Sequence, residues 1–177
     1  PLVVTDTLRT EATLDYGYQN SQTDFLGIHW VDDTVKSYTA GFSMTNYGAS
    51  SIIYQKHNFR IGDSEDLAGE NDNFSKYFFN GFWQKAYSAG QMLSARLDAQ
   101  WSPDDYLTSA EQFYIGGMYS VRGYEESYLG GDSGYSASLE YSVPLDKAKT
   151  TSAFCFFDYG AVYGDSAFDD HVLAGTG

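Results

Sequence analysis

The 177 residues carry 24 Asp and Glu against 10 Lys and Arg, a formal net charge of −14, and one cysteine, Cys155. That balance excludes nucleic acid as a partner, because such binding rests on basic contacts to phosphate, and the lone thiol excludes an internal disulfide framework. Aromatic residues make up 18% of the chain, yet no run approaches the ~20 apolar residues of a membrane helix.

Taken in chain order, alternation is the organising signal. Between Leu8 and Tyr18 the even positions (Leu8, Thr10, Ala12, Leu14, Tyr16, Tyr18) oppose Arg9, Glu11, Thr13, Asp15 and Gly17, which predicts a strand with one apolar and one polar face. Residues 19–24 read as a polar turn and 25–31 as the returning strand. Residues 37–45 repeat the pattern, with Tyr38, Ala40, Phe42 and Met44 on one face, and 51–61 form a less clean strand. Residues 62–73 read as a long acidic loop. Residues 75–87 place Tyr77, Phe79, Trp83 and Tyr87 together, and Ser88-Ala89-Gly90 make a tight turn. The cleanest strand is 91–101, where Leu93, Ala95, Leu97, Ala99 and Trp101 oppose Ser94, Arg96, Asp98 and Gln100. Tyr135, Ala137, Leu139, Tyr141 and Val143 alternate with serines and Glu140 until Pro144 ends the strand. Residues 151–163 form the last full strand, and 173–177 begin another. With its start at Pro1, the chain is expected to be a piece of something longer.

About nine strands of ~10 residues, joined alternately by short turns and longer loops, predict an all-β, antiparallel, up-and-down meander. Two environments fit. A soluble sheet keeps one face in water. A transmembrane β-barrel sets apolar faces against lipid and polar faces against a wet lumen. Arg96, Asp98 and Gln100 in one strand, and Arg9, Glu11 and Asp15 in another, suit the lumen, while Tyr18, Trp101 and Tyr87 end the apolar faces as interface girdles do.

One segment departs from this pattern. Residues 109–140 centre on Val121-Arg122-Gly123-Tyr124, with Gly116-Gly117 before and Gly131-Asp132 after. Glycines let a backbone fold back tightly, and the rigid fork of Arg suits a buried carboxylate. Such a segment predicts a loop tucked inward and pinned by an ion pair. The acid within an aromatic run, Phe156-Phe157-Asp158-Tyr159-Gly160, is the candidate anchor; by parity Asp158 shares the polar face with Phe154 and Phe156, opposite Cys155, Phe157 and Tyr159.

The block Ser109, Glu111-Gln112-Phe113, Gly116-Gly117, Ser120–Tyr124 and Gly131–Tyr135, followed by Phe156, Asp158 and Gly160, resembles the outer-membrane transporters of two-partner secretion, the hemolysin-activator (TpsB) family. An Ala110 inserted between Ser109 and Glu111 is the departure. Lys76 and Gln100 also lie in strands that look like those preceding the family's signature loop. The resemblance implies a partial transmembrane β-barrel spanning residues 1–177 in the bacterial outer membrane, without the periplasmic POTRA domains or terminal strands. It implies no enzymatic activity and no cofactor. It implies a secreted TpsA-type exoprotein as partner, with lipid around the barrel. Arg122, at the tip of a loop folded into the lumen, would meet Asp158, the functional loop comprising Gly116, Gly117, Val121, Arg122, Gly123, Tyr124, Gly131 and Asp132 and the anchoring strand Phe156, Asp158 and Gly160. A barrel that inserts other outer-membrane proteins, or a soluble aromatic-rich module gripping sugar or protein, are the alternatives.

Elsewhere the bland readings prevail. Glu125 and Glu126 are expected to form a solvated loop face, and Asp32-Asp33 and Asp169-Asp170 to be turns. His29, His57 and His171 have no nucleophile or metal partner nearby in sequence, no Cys/His spacing forms a zinc site, and no two carboxylates are positioned for glycosidase chemistry. Open strand edges predict self-association of the isolated chain.

Overall fold

The computed structural model describes residues 1–25, 28–65, 71–104, 107–164 and 171–177, with residues 21, 23–25, 28–33 and 71 described through their backbone alone. The strands are β1 (Val3–Val4), β2 (Leu8–Phe25), β3 (Ile28–Tyr47), β4 (Ser51–Glu65), β5 (Asn71–Ala86), β6 (Met92–Trp101), β7 (Phe113–Ile115), β8 (Leu129–Gly131), β9 (Ser133–Pro144), β10 (Ser152–Tyr163) and β11 (His171–Thr176). Nine of them form one antiparallel sheet in the order β1-β2-β3-β4-β5-β6-β9-β10-β11, and β7 and β8 form a separate hairpin. This is an all-β up-and-down meander, and the sheet is open, with β1 and β11 at its edges.

Register carries each face across the whole sheet. Leu14 pairs with Ala40, Ala40 with Phe59, Phe59 with Tyr77, and Tyr77 with Trp101. Because side chains alternate, one apolar position per strand is enough to assign every other one. The result is inverted relative to a soluble domain. Leu14 is 80% exposed, and Tyr16, Tyr38, Phe59, Trp101 and Phe157 also stand in the open on the apolar face. Lys76, Gln100, Ser136 and Asp158, all on the opposite face, are buried. Water strongly disfavours a continuous apolar surface of this extent, whereas lipid outside and polar groups inside satisfy both faces. The soluble-module alternative therefore fails on physical grounds.

Strand length divides the sheet. β6, β9 and β10 have 10, 12 and 12 residues, near the ~9–11 that cross a bilayer at a tilt. β2 to β5 run to 18, 20, 15 and 16 residues and so project beyond it. The short turns after Tyr47, Ala86 and Pro144 lie at one end, so the projection is at the other, beside the long connection from β6 to β9. On the polar face of the projection Val35 and Phe74 pack with Leu107, at the root of that connection.

Three expectations change. Residues 19–24 are not a turn, because β2 continues to Phe25 with a register shift at Thr23/Asp24. Of the separate strands predicted at 25–31 and 37–45, residues 28–31 and 37–45 lie within one strand, β3, while Phe25 ends β2 and residues 26–27 lie outside the described residues; Asp32 and Asp33 pair in β3 with Gln22 and Ser21. Residues 62–65 and 71–73 are strand rather than loop, paired Gly62 with Phe74 and Glu65 with Asn71; residues 66–70 lie outside the described residues. The physical reason is common to all three. These projecting hairpins need no apolar face, so hydrogen-bonded pairing continues where alternation has stopped. The turn expected at Asp169-Asp170 also lies outside the described residues.

Leu97, mid-strand on the apolar face between Gly81 and Ala137, tests the assignment of faces. In the full-length protein, Leu97→Arg should cost ~2–4 kcal/mol of folding stability in lipid vesicles. Denaturant unfolding matching the unmodified protein would contradict a lipid-facing Leu97.

Candidate functional site

The connection between β6 and β9 does not extend away from the sheet. It returns over the polar face and forms the β7–β8 hairpin, with Phe113 opposite Gly131 and Ile115 opposite Leu129. Ile115 and Val121 are fully buried against Val162 of β10 and Leu173 of β11. The turns that allow this need left-handed backbone. Gly116, Gly117 and Gly123 have φ of 111°, 93° and 98°, a region in which L side chains are strained. Gly131 permits a different fit, since a Cβ there would meet the Tyr163 carbonyl at 2.7 Å. Asp132 next to it accepts the Leu107 N–H at 3.0 Å and the Gln112 side-chain amide at 3.4 Å, closing the root of the loop.

At the tip, Arg122 reaches β9 and β10. Its Nε and Nη2 donate to the two Asp158 oxygens at 2.7 and 2.8 Å, a bidentate geometry. The Arg122 backbone N–H adds a third bond to Asp158 at 3.1 Å. Nη1 donates to Glu140 at 2.6 Å and Nη2 to the Ser138 hydroxyl at 3.2 Å. Below the guanidinium lies the Phe156 ring, its centroid 3.6 Å away, a cation–π contact. Hydrogen bonding to Asp158 above all, opposed by burial and reinforced by Glu140, raises the Arg122 pKa above that of free arginine. The loop's positive charge is therefore permanent.

Phe156, Asp158 and Gly160 stand at i, i+2 and i+4 on β10, and each meets a different part of the loop. Phe156 lies flat against the guanidinium and Asp158 binds its fork. Gly160 leaves room for Val121, whose Cγ2 would lie 3.0 Å from an added Cβ. On β11, a side chain at Gly175 would collide with the Arg122 carbonyl. Tyr124 is held more loosely, its hydroxyl donating to the Ala174 carbonyl at 3.3 Å.

A second set of contacts was not singled out from the sequence. Glu111, 2% exposed, accepts from Arg60 through both oxygens at 2.9 and 3.0 Å and pairs with Lys76 at 2.7 Å. Lys76 and Gln100 also donate to the Glu111 carbonyl at 2.7 and 2.9 Å, and Gln100 bridges to the Asp132 carbonyl at 3.0 Å. Polar-face parity at Arg60, Lys76 and Gln100 was the available signal. Glu140 likewise read only as a polar-face residue. Glu125 and Glu126 are exposed, and Glu126 caps the Met118 N–H at 2.9 Å. Among the described residues no cluster of His, Cys, Asp and Glu forms a metal site.

The two acids around Arg122 differ in burial, and their removal should differ accordingly. Asp158 is fully buried, and breaking a buried pair by removing one partner costs ~3–5 kcal/mol. Glu140 is 36% exposed at its side chain, where such pairs contribute ~1 kcal/mol or less. In the full-length protein, Asp158→Asn should speed amide hydrogen exchange across residues 116–128 far more than Glu140→Gln. Equal protection in both variants would contradict the ranking.

The comparisons with known proteins agree with this architecture. The family model described as Haemolysin secretion/activation protein ShlB/FhaC/HecB matches residues 6–177. The Outer membrane transporter CdiB of Escherichia coli is 38% identical over 108 residues, 59% of this chain and 18% of that protein. The transporter of the same name from Escherichia coli O6:K15:H31 (strain 536 / UPEC) matches to the same extent. The solved structure of CdiB from Acinetobacter baumannii superposes with a TM-score of 0.82 over 99% of this chain and 32% of that one, at 18% identity, a likeness of fold. The chain thus spans 18% of the length of the curated relatives it matches. It belongs to the ShlB/FhaC/HecB family of two-partner secretion proteins, a family of outer-membrane transporters and not of enzymes.

Proposed function

We propose that residues 1–177 are part of the β-barrel domain of an outer-membrane transporter that secretes a partner exoprotein of the hemolysin or adhesin type. The observation that carries this reading is the loop held over the sheet's polar face by Arg122, Asp158 and Glu140. In a closed barrel that face lines the lumen, so the position of the loop sets the path open to an unfolded partner. A cleft beside the tip supports this, lined by Phe82, Ser94, Arg96, Tyr119, Arg122 and Glu140, a mixture of aromatic, polar and charged groups that suits a sliding extended chain. Periplasmic POTRA domains would deliver the partner, and the remaining strands would close the barrel around it. The chain carries no Gly-x-x-x-x-Gly-Lys phosphate cradle. Transport would draw on the partner's folding outside the cell.

The test is secretion of the cognate exoprotein by the full-length parent. Arg122→Ala should cut it sharply while leaving the barrel inserted, since loss of the fork leaves Asp158 buried without its partner, at ~3–5 kcal/mol against the docked loop. Arg122→Lys should rescue only in part, because an ammonium lacks the fork geometry. Secretion from Arg122→Ala at the unmodified level would remove the proposal.

A further inference from the structure

The loop is fastened at two places of opposite polarity, and the two fastenings differ in kind. Near its base, the loop supplies an anion, Glu111, to cations on β4 and β5, Arg60 and Lys76. At its tip, it supplies a cation, Arg122, to anions on β9 and β10. The base is sealed. Leu107, Glu111, Ile115 and Asp132 are all buried, and Lys76 and Gln100 bind its backbone carbonyls directly. Beyond Gly116-Gly117 the tip is open apart from Ser120, Val121 and Arg122, with Met118 and Tyr119 exposed at 72% and 71%.

Between base and tip stand two glycines in left-handed backbone, Gly116 and Gly117, and the chain returns through Ser127 at φ 55°. Within the tip, bonds close on themselves. The Ser120 hydroxyl accepts from the Gly116 N–H at 2.8 Å and donates to the Gly116 carbonyl at 2.9 Å, and Glu126 holds the Met118 N–H. A segment with its own internal bonds and few to its support moves as a unit when those few are broken.

We propose that Glu111 is a second positioning residue of the transporter: with Arg60 and Lys76 it fixes the base of the loop to β4 and β5, so that loop movement is confined to the tip, residues 116–128, turning about Gly116-Gly117. This rests on the transporter reading above. The two anchors then have separate tasks. Glu111 keeps the loop registered on the wall, and Arg122 sets whether its tip is docked or displaced. An anchor of reversed sign at each end also prevents the loop from docking in a shifted position, because such a slip sets like charges together.

The test uses pulsed electron–electron distance measurements on the full-length transporter in lipid vesicles, in a Cys155→Ser background. One pair of spin labels joins the loop base to a short turn, at Ala110 and Ser88, and the other joins the tip to the same turn, at Tyr119 and Ser88. Arg122→Ala should broaden the tip distribution and leave the base distribution narrow. Glu111→Gln should broaden the base distribution, and Arg60→Gln, which retains Lys76, should do so to a smaller extent and remains informative if Glu111→Gln fails to insert. Arg122→Ala displacing Ala110 as far as Tyr119 would overturn the proposal, as would an unchanged base in both Glu111→Gln and Arg60→Gln. These distances do not depend on secretion, so their failure leaves the transporter reading standing, and a failure of secretion leaves the distances readable.

Discussion

The docking of the loop's tip depends on one buried carboxylate finding one guanidinium. Asp158 lies at 0% exposure on a strand whose other residues on that face, Ser152, Phe154, Phe156, Gly160 and Val162, carry no charge. An isolated ion there would be strongly disfavoured. Arg122 supplies three of the hydrogen bonds that Asp158 accepts, two from the fork and one from its own backbone N–H. The bonds from backbone and side chain together fix both the position and the direction of the loop at that point. A buried pair of this kind is weak evidence for overall stability. What it specifies is conformation, and it does so only because the neighbouring positions yield space: Gly160 to Val121 and Gly175 to the Arg122 carbonyl.

The wall is complementary to the loop in charge as well as shape. Cations concentrate at Arg60 and Lys76 on one side, anions at Glu140 and Asp158 on the other, and the loop presents the opposite sign to each. The phenyl rings of Phe78 and Phe156 lie beneath these cations, Phe78 under Arg60 and Lys76 and Phe156 under Arg122. An aromatic face tolerates a cation without competing for its donors. Polar-face aromatics therefore line the docking surface without filling the interior as a core would.

Much of the fold was legible from period-2 alternation, because one face of each membrane-length strand must be apolar whatever the other does. That rule identified 91–101 and 151–163 to within a residue of β6 and β10. It failed in residues 19–24, 32–33 and 62–65, where strands run past the bilayer and no lipid-facing apolar side is required. At the site, the glycine spacing and the acid in an aromatic run led to the Arg122 loop and Asp158, since both violate what a lipid-facing strand or a free turn requires. The partners of Glu140 and Glu111 were not legible. Each acid sits in a locally ordinary context, an alternating strand and a polar stretch, and only the folding back of the loop brings them to cations 18 and 51 residues away.

The most direct measurement is a double-mutant cycle on the Arg122–Asp158 pair in the full-length protein. It would compare loop protection by hydrogen exchange in the unmodified protein, Arg122→Ala, Asp158→Asn and the combined variant. Groups in direct contact show coupling of ~0.5–3 kcal/mol, whereas independent sites add. The account predicts that the combined variant loses no more protection than the more severe single one. Additive losses would mean that the two residues do not hold the loop together.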